Sequence, residues 1–210
     1  MLHHSGGMKL VMTHNANISN NSVSNNNGPG IWFDISADNS VIANNTVTSN
    51  SLAGIHYEIS RGASITDNVL ENNAWGDPRG WLHQASITIS TSWNVNVSGN
   101  TIRNAPGGIT VFDQRTLRNQ GGGESSMPGF GRIYDGQWRG DNVNVSGNTL
   151  VNTGTNGASA GQHESNGTNI YNTARFSNNN FQGNTDFQWG SGNTYSNSVG
   201  AGGFASFGQG

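Results

Sequence analysis

Gly30-Ile31-Trp32-Phe33-Asp34-Ile35-Ser36 returns 24 positions later as Gly54-Ile55-His56-Tyr57-Glu58-Ile59-Ser60. Side chains alternate between the faces of a strand, so in the first copy Ile31, Phe33 and Ile35 share one face and Trp32 and Asp34 the other. In the second copy Ile55, Tyr57 and Ile59 share the apolar face, leaving His56 and Glu58 outward. An apolar face that repeats is architecture. An outward face carrying Trp, His and two carboxylates is where function is sought.

The chain around this motif has 210 residues, 33 Asn and 31 Gly, with only 10% charged and 32% apolar residues. Such a composition by itself suits low complexity. The Asn and Gly residues recur at fixed offsets from apolar pairs, however, which points to a repeat fold. A net charge of −3 supplies no basic field for neutralising phosphates, so nucleic-acid binding is not expected. No apolar run approaches a membrane span. The absence of cysteine excludes disulfides and thiolate metal sites. Met1 to Ser5 has neither a cationic head nor an apolar core, so no signal peptide is visible. Met8, Leu10 and Met12 already read as a repeat strand, which suggests a piece of a longer protein.

The repeat is set by Asn21, Asn45, Asn68, Asn100, Asn148 and Asn179, at intervals of 24, 23, 32, 48 and 31 residues. Five of these follow an apolar pair at i−5 and i−3: Ala16/Ile18, Ala63/Ile65, Val95/Val97, Val143/Val145 and Ala174/Phe176. Ser40/Ile42 is the polar-leaning exception. All six precede an apolar residue at i+2: Val23, Val47, Leu70, Ile102, Leu150 and Phe181. Two short strands meeting at an Asn corner, plus the Gly-Ile strand, make three strands in a coil of 24 residues. One such coil cannot bury its apolar face, whereas coils stacked at the interstrand spacing of roughly 4.8 Å build a continuous core. The corner amides would then stack and bond one another.

This pattern, apolar-x-apolar-x-x-Asn-x-apolar followed by Gly-Ile, resembles the right-handed parallel β-helix repeats of the pectin-lyase-like superfamily over about residues 7–182. The resemblance implies an all-β solenoid of about six to seven coils forming one domain over residues 1–210. It implies an extracellular or cell-surface setting and activity on polysaccharide, without choosing among lyases, hydrolases, epimerases and non-enzymatic members. The paired Gly-Ile coils are similar to those of secreted bacterial β-helix repeat proteins, from which no catalytic residue carries over.

The long intervals place insertions at about 73–83, 114–141 and 155–167, and a Gly- and Ser-rich tail follows at about 190–210. Loops on a rigid scaffold commonly carry binding residues. The first insertion brings Trp75, Arg79 and Trp81, and the second Arg115 and Trp138. His163-Glu164 in the third lacks the spacing of a metal motif.

Superposing the Gly-Ile strands gives two outward columns. One is Lys9, Trp32, His56, Ser86 and Thr110; the other is Val11, Asp34, Glu58, Thr88 and Phe112. Asp34 and Glu58 would stand one strand spacing apart, about 5 Å. Carboxylates this close cannot both ionise freely, and one pKa rises unless a cation intervenes. The spacing matches the roughly 5–5.5 Å pair of a retaining glycosidase. A uronate lyase is a second chemistry, with Asp34 and Glu58 holding Ca²⁺ as the only candidate cofactor and His56, Lys9 or Arg61 moving the proton. Binding of sugar hydroxyls without reaction is a third. Candidate catalytic residues are therefore Asp34, Glu58, His56 and Lys9. Candidate substrate-binding residues are Trp32, Trp75, Trp81 and Trp138 as sugar platforms, with Arg61, Arg79, Asp113 and Arg115 along the groove.

Against this stands the bland reading, in which Asp, Glu, His and Lys merely solvate the outside of a solenoid. A non-catalytic rod, stacking end to end or as a homo-oligomer through open β-helix edges, is the rival function. With 12 acidic residues in the chain, two stacked beside Trp and His favour a site.

Overall fold

The computed structural model describes residues 6–78, 83–113, 133–134, 137–138, 140–162, 174–183 and 194–196. Within these residues every regular element is a strand, and the strands stack in parallel along three faces of a coil. The Gly-Ile face runs from Met8–Val11 through Ile31–Asp34, Ile55–Glu58 and Ile87–Ser90 into the second half of Thr101–Asp113. The second face comprises Asn17–Ser19, Asp38–Ala43, Arg61–Thr66, Trp93–Ser98, Asp141–Ser146 and Arg175–Ser177. The third begins with Ser22–Ser24, Thr46–Thr48 and Val69–Glu71. It continues through the first halves of Thr101–Asp113 and Thr149–Gln162 to Asn180–Gln182 and Thr194–Ser196. Six successive Asn corners thus mark six coils, and Thr194–Ser196 adds one strand beyond them. The chain is an all-β, right-handed parallel β-helix.

Between the three faces lies one column of apolar side chains. Ile31, Phe33, Ile55, Tyr57, Ile87, Ile89, Ile109 and Val111 face Ile42, Ile65, Val95, Val97, Val143 and Val145, with Val47, Leu70, Ile102 and Leu150 closing the third side. At the corner between the second and third faces, Asn21, Asn45, Asn68, Asn100, Asn148 and Asn179 form a ladder. Each Oδ1 from Asn45 onward accepts both the backbone N–H and the side-chain Nδ2 of the preceding rung. Its own Nδ2 donates to a strand carbonyl one coil back, as Asn68 does to Ile42 at 2.9 Å. The residue before each rung is left-handed: Asn20, Asn44, Asp67, Gly99, Gly147 and Asn178 all have positive φ. Asn and Gly tolerate that conformation best, which explains why the two residue types dominate the composition.

Asn26, Asn50 and Asn73 form a second ladder at the corner before the Gly-Ile strand. It explains the glycine. A Cβ on Gly54 would stand 2.9 Å from Asn73 Nδ2 and 2.9 Å from Leu70 Cδ2. One coil further, the register sets Ala105 beside Asn73, and the amide ladder ends. Ser86, in the coil of Asn73 and so facing Ala105 rather than an amide, occupies the glycine place, since Ile87 pairs with Ile55 and Ile109.

Three expectations are corrected. Because Ser86 replaces glycine, the outward columns are Lys9, Trp32, His56, Thr88, Thr110 and Val11, Asp34, Glu58, Ser90, Phe112; the fourth coil enters with Thr88 and Ser90, not Ser86 and Thr88. Ile35 and Ile59 do not continue the core stripe. The strands end at Asp34 and Glu58, and both isoleucines turn the corner at positive φ, as Met12 and Thr91 do; Ile59 packs on Trp93 outside the main core. The expected insertion at 155–167 is strand through Gln162, with Ala158, Ala160 and Gly161 paired to Ile109, Val111 and Phe112. Small side chains there erased the apolar signal.

Candidate functional site

The shared Gly-Ile register brings Lys9, Trp32, Asp34, His56 and Glu58 together on the outer face of three adjacent strands. Asp34 and Glu58 are register partners. Lys9 Nζ lies 2.8 Å from Asp34 Oδ2 and 3.6 Å from the centre of the Trp32 ring. His56 Nε2 lies 3.2 Å from Glu58 Oε2, and its Nδ1 is hydrogen-bonded to Thr88 Oγ1. A carboxylate can only accept, so Nε2 carries the donated proton; in the neutral imidazole Nδ1 then accepts from the Thr88 hydroxyl.

This outer face is not solvated. Asp34, His56 and Glu58 are 6%, 6% and 5% exposed, and Thr88, Ser90 and Thr110 are buried beside them. The expectation that His56 and Glu58 stand exposed is therefore corrected, and with it the bland reading of a solvated charge ladder. On the same column, the ring of His83 stands edge-on to Phe112 at 4.6 Å. Burial has an electrostatic consequence. Asp34 has its pKa raised above 3.8 by desolvation first and by the Glu58 charge second, against opposing contributions from Lys9 and His56.

Trp32 occupies a position different from the open platform expected of it. The Lys9 ammonium covers its ring from one neighbouring strand, and His56 stands on the other at a centroid distance of 5.7 Å and a 56° tilt. Neither face is free for a sugar ring. Two atoms of the cluster are buried without a hydrogen-bond partner, the indole Nε1 of Trp32 and Oδ1 of Asp34.

The remaining candidates are dispersed. Arg61 starts the next strand round the corner and holds Asp38 Oδ2 at 3.1 Å, an oxygen also 3.3 Å from His14 Nδ1. Exposed Trp75 donates through Nε1 to the Asn104 carbonyl, at the corner preceding the Gly-Ile strand, whereas the carboxylates stand at that strand's far end. Asp113 is the last strand residue of its coil and pairs with Gln162. Trp138 belongs to a two-residue antiparallel pairing with Ile133. Arg79, Trp81, Arg115 and His163-Glu164 lie outside the described residues. Thr88, which is hydrogen-bonded to His56, stands in the Trp32–His56 column and not in the carboxylate column expected of it; only the exchange of Gly for Ser86 signals that place.

A resident Ca²⁺ does not fit these residues. Ca²⁺ takes six to eight oxygens, whereas here Lys9 Nζ and His56 Nε2 already occupy one oxygen of each carboxylate. No group of three or more His, Asp or Glu suited to a metal occurs among the described residues.

Stacked parallel coils, an amide ladder at the corner and a polar cluster seated on one outer face define a right-handed parallel β-helix protein. The family model described as "Right handed beta helix region" matches residues 2–102, a little under half of the chain, and covers every residue of the cluster. A search of curated proteins finds no match. No helix among the described residues is long and apolar enough to cross a membrane.

Proposed function

We propose that this chain is an extracellular polysaccharide-active β-helix that cleaves glycosidic bonds by hydrolysis, with Asp34 and Glu58 as its catalytic pair. The carrying observation is that two buried carboxylates are register partners on one outer face, and that burial and Glu58 together raise Asp34 towards its protonated form. Strand spacing of roughly 4.8 Å sets such partners near the roughly 5–5.5 Å of a retaining pair.

The two oxygens of Asp34 divide the labour. Oδ2 faces the Lys9 ammonium, which disfavours a proton there, so the acidic proton resides on the unpartnered Oδ1. Oδ1 passes it to the departing glycosidic oxygen as that bond breaks. Glu58, oriented by His56 and through it by Thr88, closes on the anomeric carbon. Water then releases the sugar, returning a proton to Asp34. Elimination is the less favoured chemistry, because the cations that would neutralise a uronate are engaged by Asp34, Glu58 and Asp38.

The experiment is to assay the wild type, Asp34→Asn and Glu58→Gln against a polysaccharide panel, reading new reducing ends and, separately, unsaturated product. Loss of reducing-end release in both variants, on the order of a hundredfold or more, is expected. Equal activity in both variants, or unsaturated product from the wild type, overturns the reading.

A further inference from the structure

We infer that the corner between the third face and the Gly-Ile face carries an accessory platform for a neutral glycan, with the ring of Trp75 as its stacking surface. Binding there needs no cleavage, so the platform is separable from the hydrolytic reading. Trp75 is 63% exposed, whereas Trp32 is half-buried and Trp93 buried. Its one polar atom is committed, since Nε1 donates to the Asn104 carbonyl at 2.9 Å. With the N–H edge turned to the backbone, what the indole offers outward is apolar ring. The chain on either side is pinned as well. Ala74 N donates to the carbonyls of Asn50 and Leu52, each at 3.0 Å, and Gly76 N to that of Ser51 at 2.8 Å. A ring held at its edge and through its backbone loses little freedom when a ligand stacks on it.

The surroundings of the anchor select the ligand. Glu71 and Arg103 are register partners on the outer side of the third face. The next positions along the chain bring Asn72, Asn104 and Asn152 to the corner, where Asn104 donates to Glu71 Oε1 and accepts from Asn152 Nδ2, each at 3.3 Å. Asn72, Arg103 and Asn152 are exposed. Among the described residues nothing pairs with the Arg103 guanidinium or the Asn72 side-chain amide. A sugar presents an apolar face and a rim of hydroxyls that both donate and accept; an aromatic ring bordered by amides, a guanidinium and a carboxylate meets both. A protein partner would call for a contiguous apolar patch, and Val69 is the one other exposed large apolar side chain on this face among the described residues. Opposite charges side by side at Glu71 and Arg103 leave no field to attract a polyanion.

The test titrates wild type, Trp75→Ala, Arg103→Ala and Asp34→Asn by calorimetry with neutral oligosaccharides of glucose, mannose and xylose and with a uronate oligosaccharide of matched length, and follows hydrolysis in parallel. Expected are preferential binding of a neutral series by the wild type, a roughly tenfold or greater loss of affinity in Trp75→Ala, and a roughly three- to tenfold loss in Arg103→Ala, the size of one hydrogen bond. Arg103 has no side-chain partner among the described residues, so its loss reads binding and not folding. Asp34→Asn, which addresses the reaction, is expected to bind as the wild type does. Equal affinity of Trp75→Ala and wild type, tighter binding of the uronate, or a loss in Asp34→Asn as large as that in Trp75→Ala overturns the inference and leaves hydrolysis standing. The expected binding pattern without any hydrolysis overturns the reaction and leaves the platform standing. No binding of any series by the wild type overturns the platform.

Discussion

Replacing Asn68 by alanine removes an inner rung of the amide ladder. The rung is about 1% exposed. It makes four side-chain hydrogen bonds: Oδ1 accepts from Asn45 N and Nδ2, each at 2.9 Å, and Nδ2 donates to Asn100 Oδ1 and Ile42 O, each at 2.9 Å. Two of the four partners keep another bond. Asn45 Nδ2 retains Ile18 O, and Asn100 Oδ1 retains the backbone N–H of residue 68. The Asn45 backbone N–H and the Ile42 carbonyl lose these bonds in a buried corner. At about 1–3 kcal/mol for each unsatisfied group, the loss is about 2–6 kcal/mol, a large share of the roughly 5–15 kcal/mol that holds a domain together. The matched control is Asn21→Ala at the first rung. Asn21 is exposed, its Oδ1 has no earlier rung to serve, and Asn45 Oδ1 keeps the Asn21 N–H, so the change is within about 1 kcal/mol. Urea unfolding of both variants, followed by circular dichroism, reads the difference in midpoint. Equal destabilisation by the two, or a loss below about 1 kcal/mol for Asn68→Ala, refutes the reasoning that inner rungs satisfy groups nothing else can reach.

Two further outcomes are expected. Since the folded-state pKa of Asp34 is raised above 3.8, the folded protein holds this proton more tightly than the unfolded chain. The stabilisation it supplies is full below the unfolded pKa and disappears as pH rises through the folded one. Asp34→Asn removes this slope, which urea midpoints across acid to neutral pH will reveal; an unaltered slope contradicts the assignment. Gly54→Ala forces a Cβ to within 2.9 Å of Asn73 and Leu70 and destabilises by about 1–3 kcal/mol, whereas Ser86→Ala, at the same place where the ladder has ended, changes thermal stability by less than half as much.

The fold was legible because its determinants are local and repeated. Each coil writes its own apolar pair, its Asn and its next apolar residue, and the six corner Asn residues align whether or not an insertion intervenes. Legibility failed where a coil substitutes one solution for another. Ser86 reads as an outward residue until Ala105 is seen to have vacated the space that glycine leaves for an Asn rung. Ala158 and Ala160 carry too little apolar area to be distinguished from loop, although their backbone continues the sheet. Ile35 and Ile59 extend the alternating pattern by one step too many. A left-handed conformation at a β-branched residue is the last thing composition suggests, yet both turn the corner there.

For the site, sequence supplied the partners and not their environment. Register follows from the Gly-Ile repeat, so the adjacency of Asp34 to Glu58 and of Trp32 to His56 could be derived. Whether that face is wet could not be, because register fixes neighbours within the sheet and not what lies above it. The distinction decides the chemistry. A wet ladder of Lys9, Asp34, His56 and Glu58 would consist of weak, screened pairs of little consequence. The same four side chains in a dry setting form one coupled unit. Lys9 holds one oxygen of Asp34, His56 and Thr88 orient Glu58, and the Glu58 charge adds to burial in raising the Asp34 pKa. Removing any member therefore alters the protonation or orientation of the others, which is why single carboxylate variants test the whole constellation rather than one residue of it.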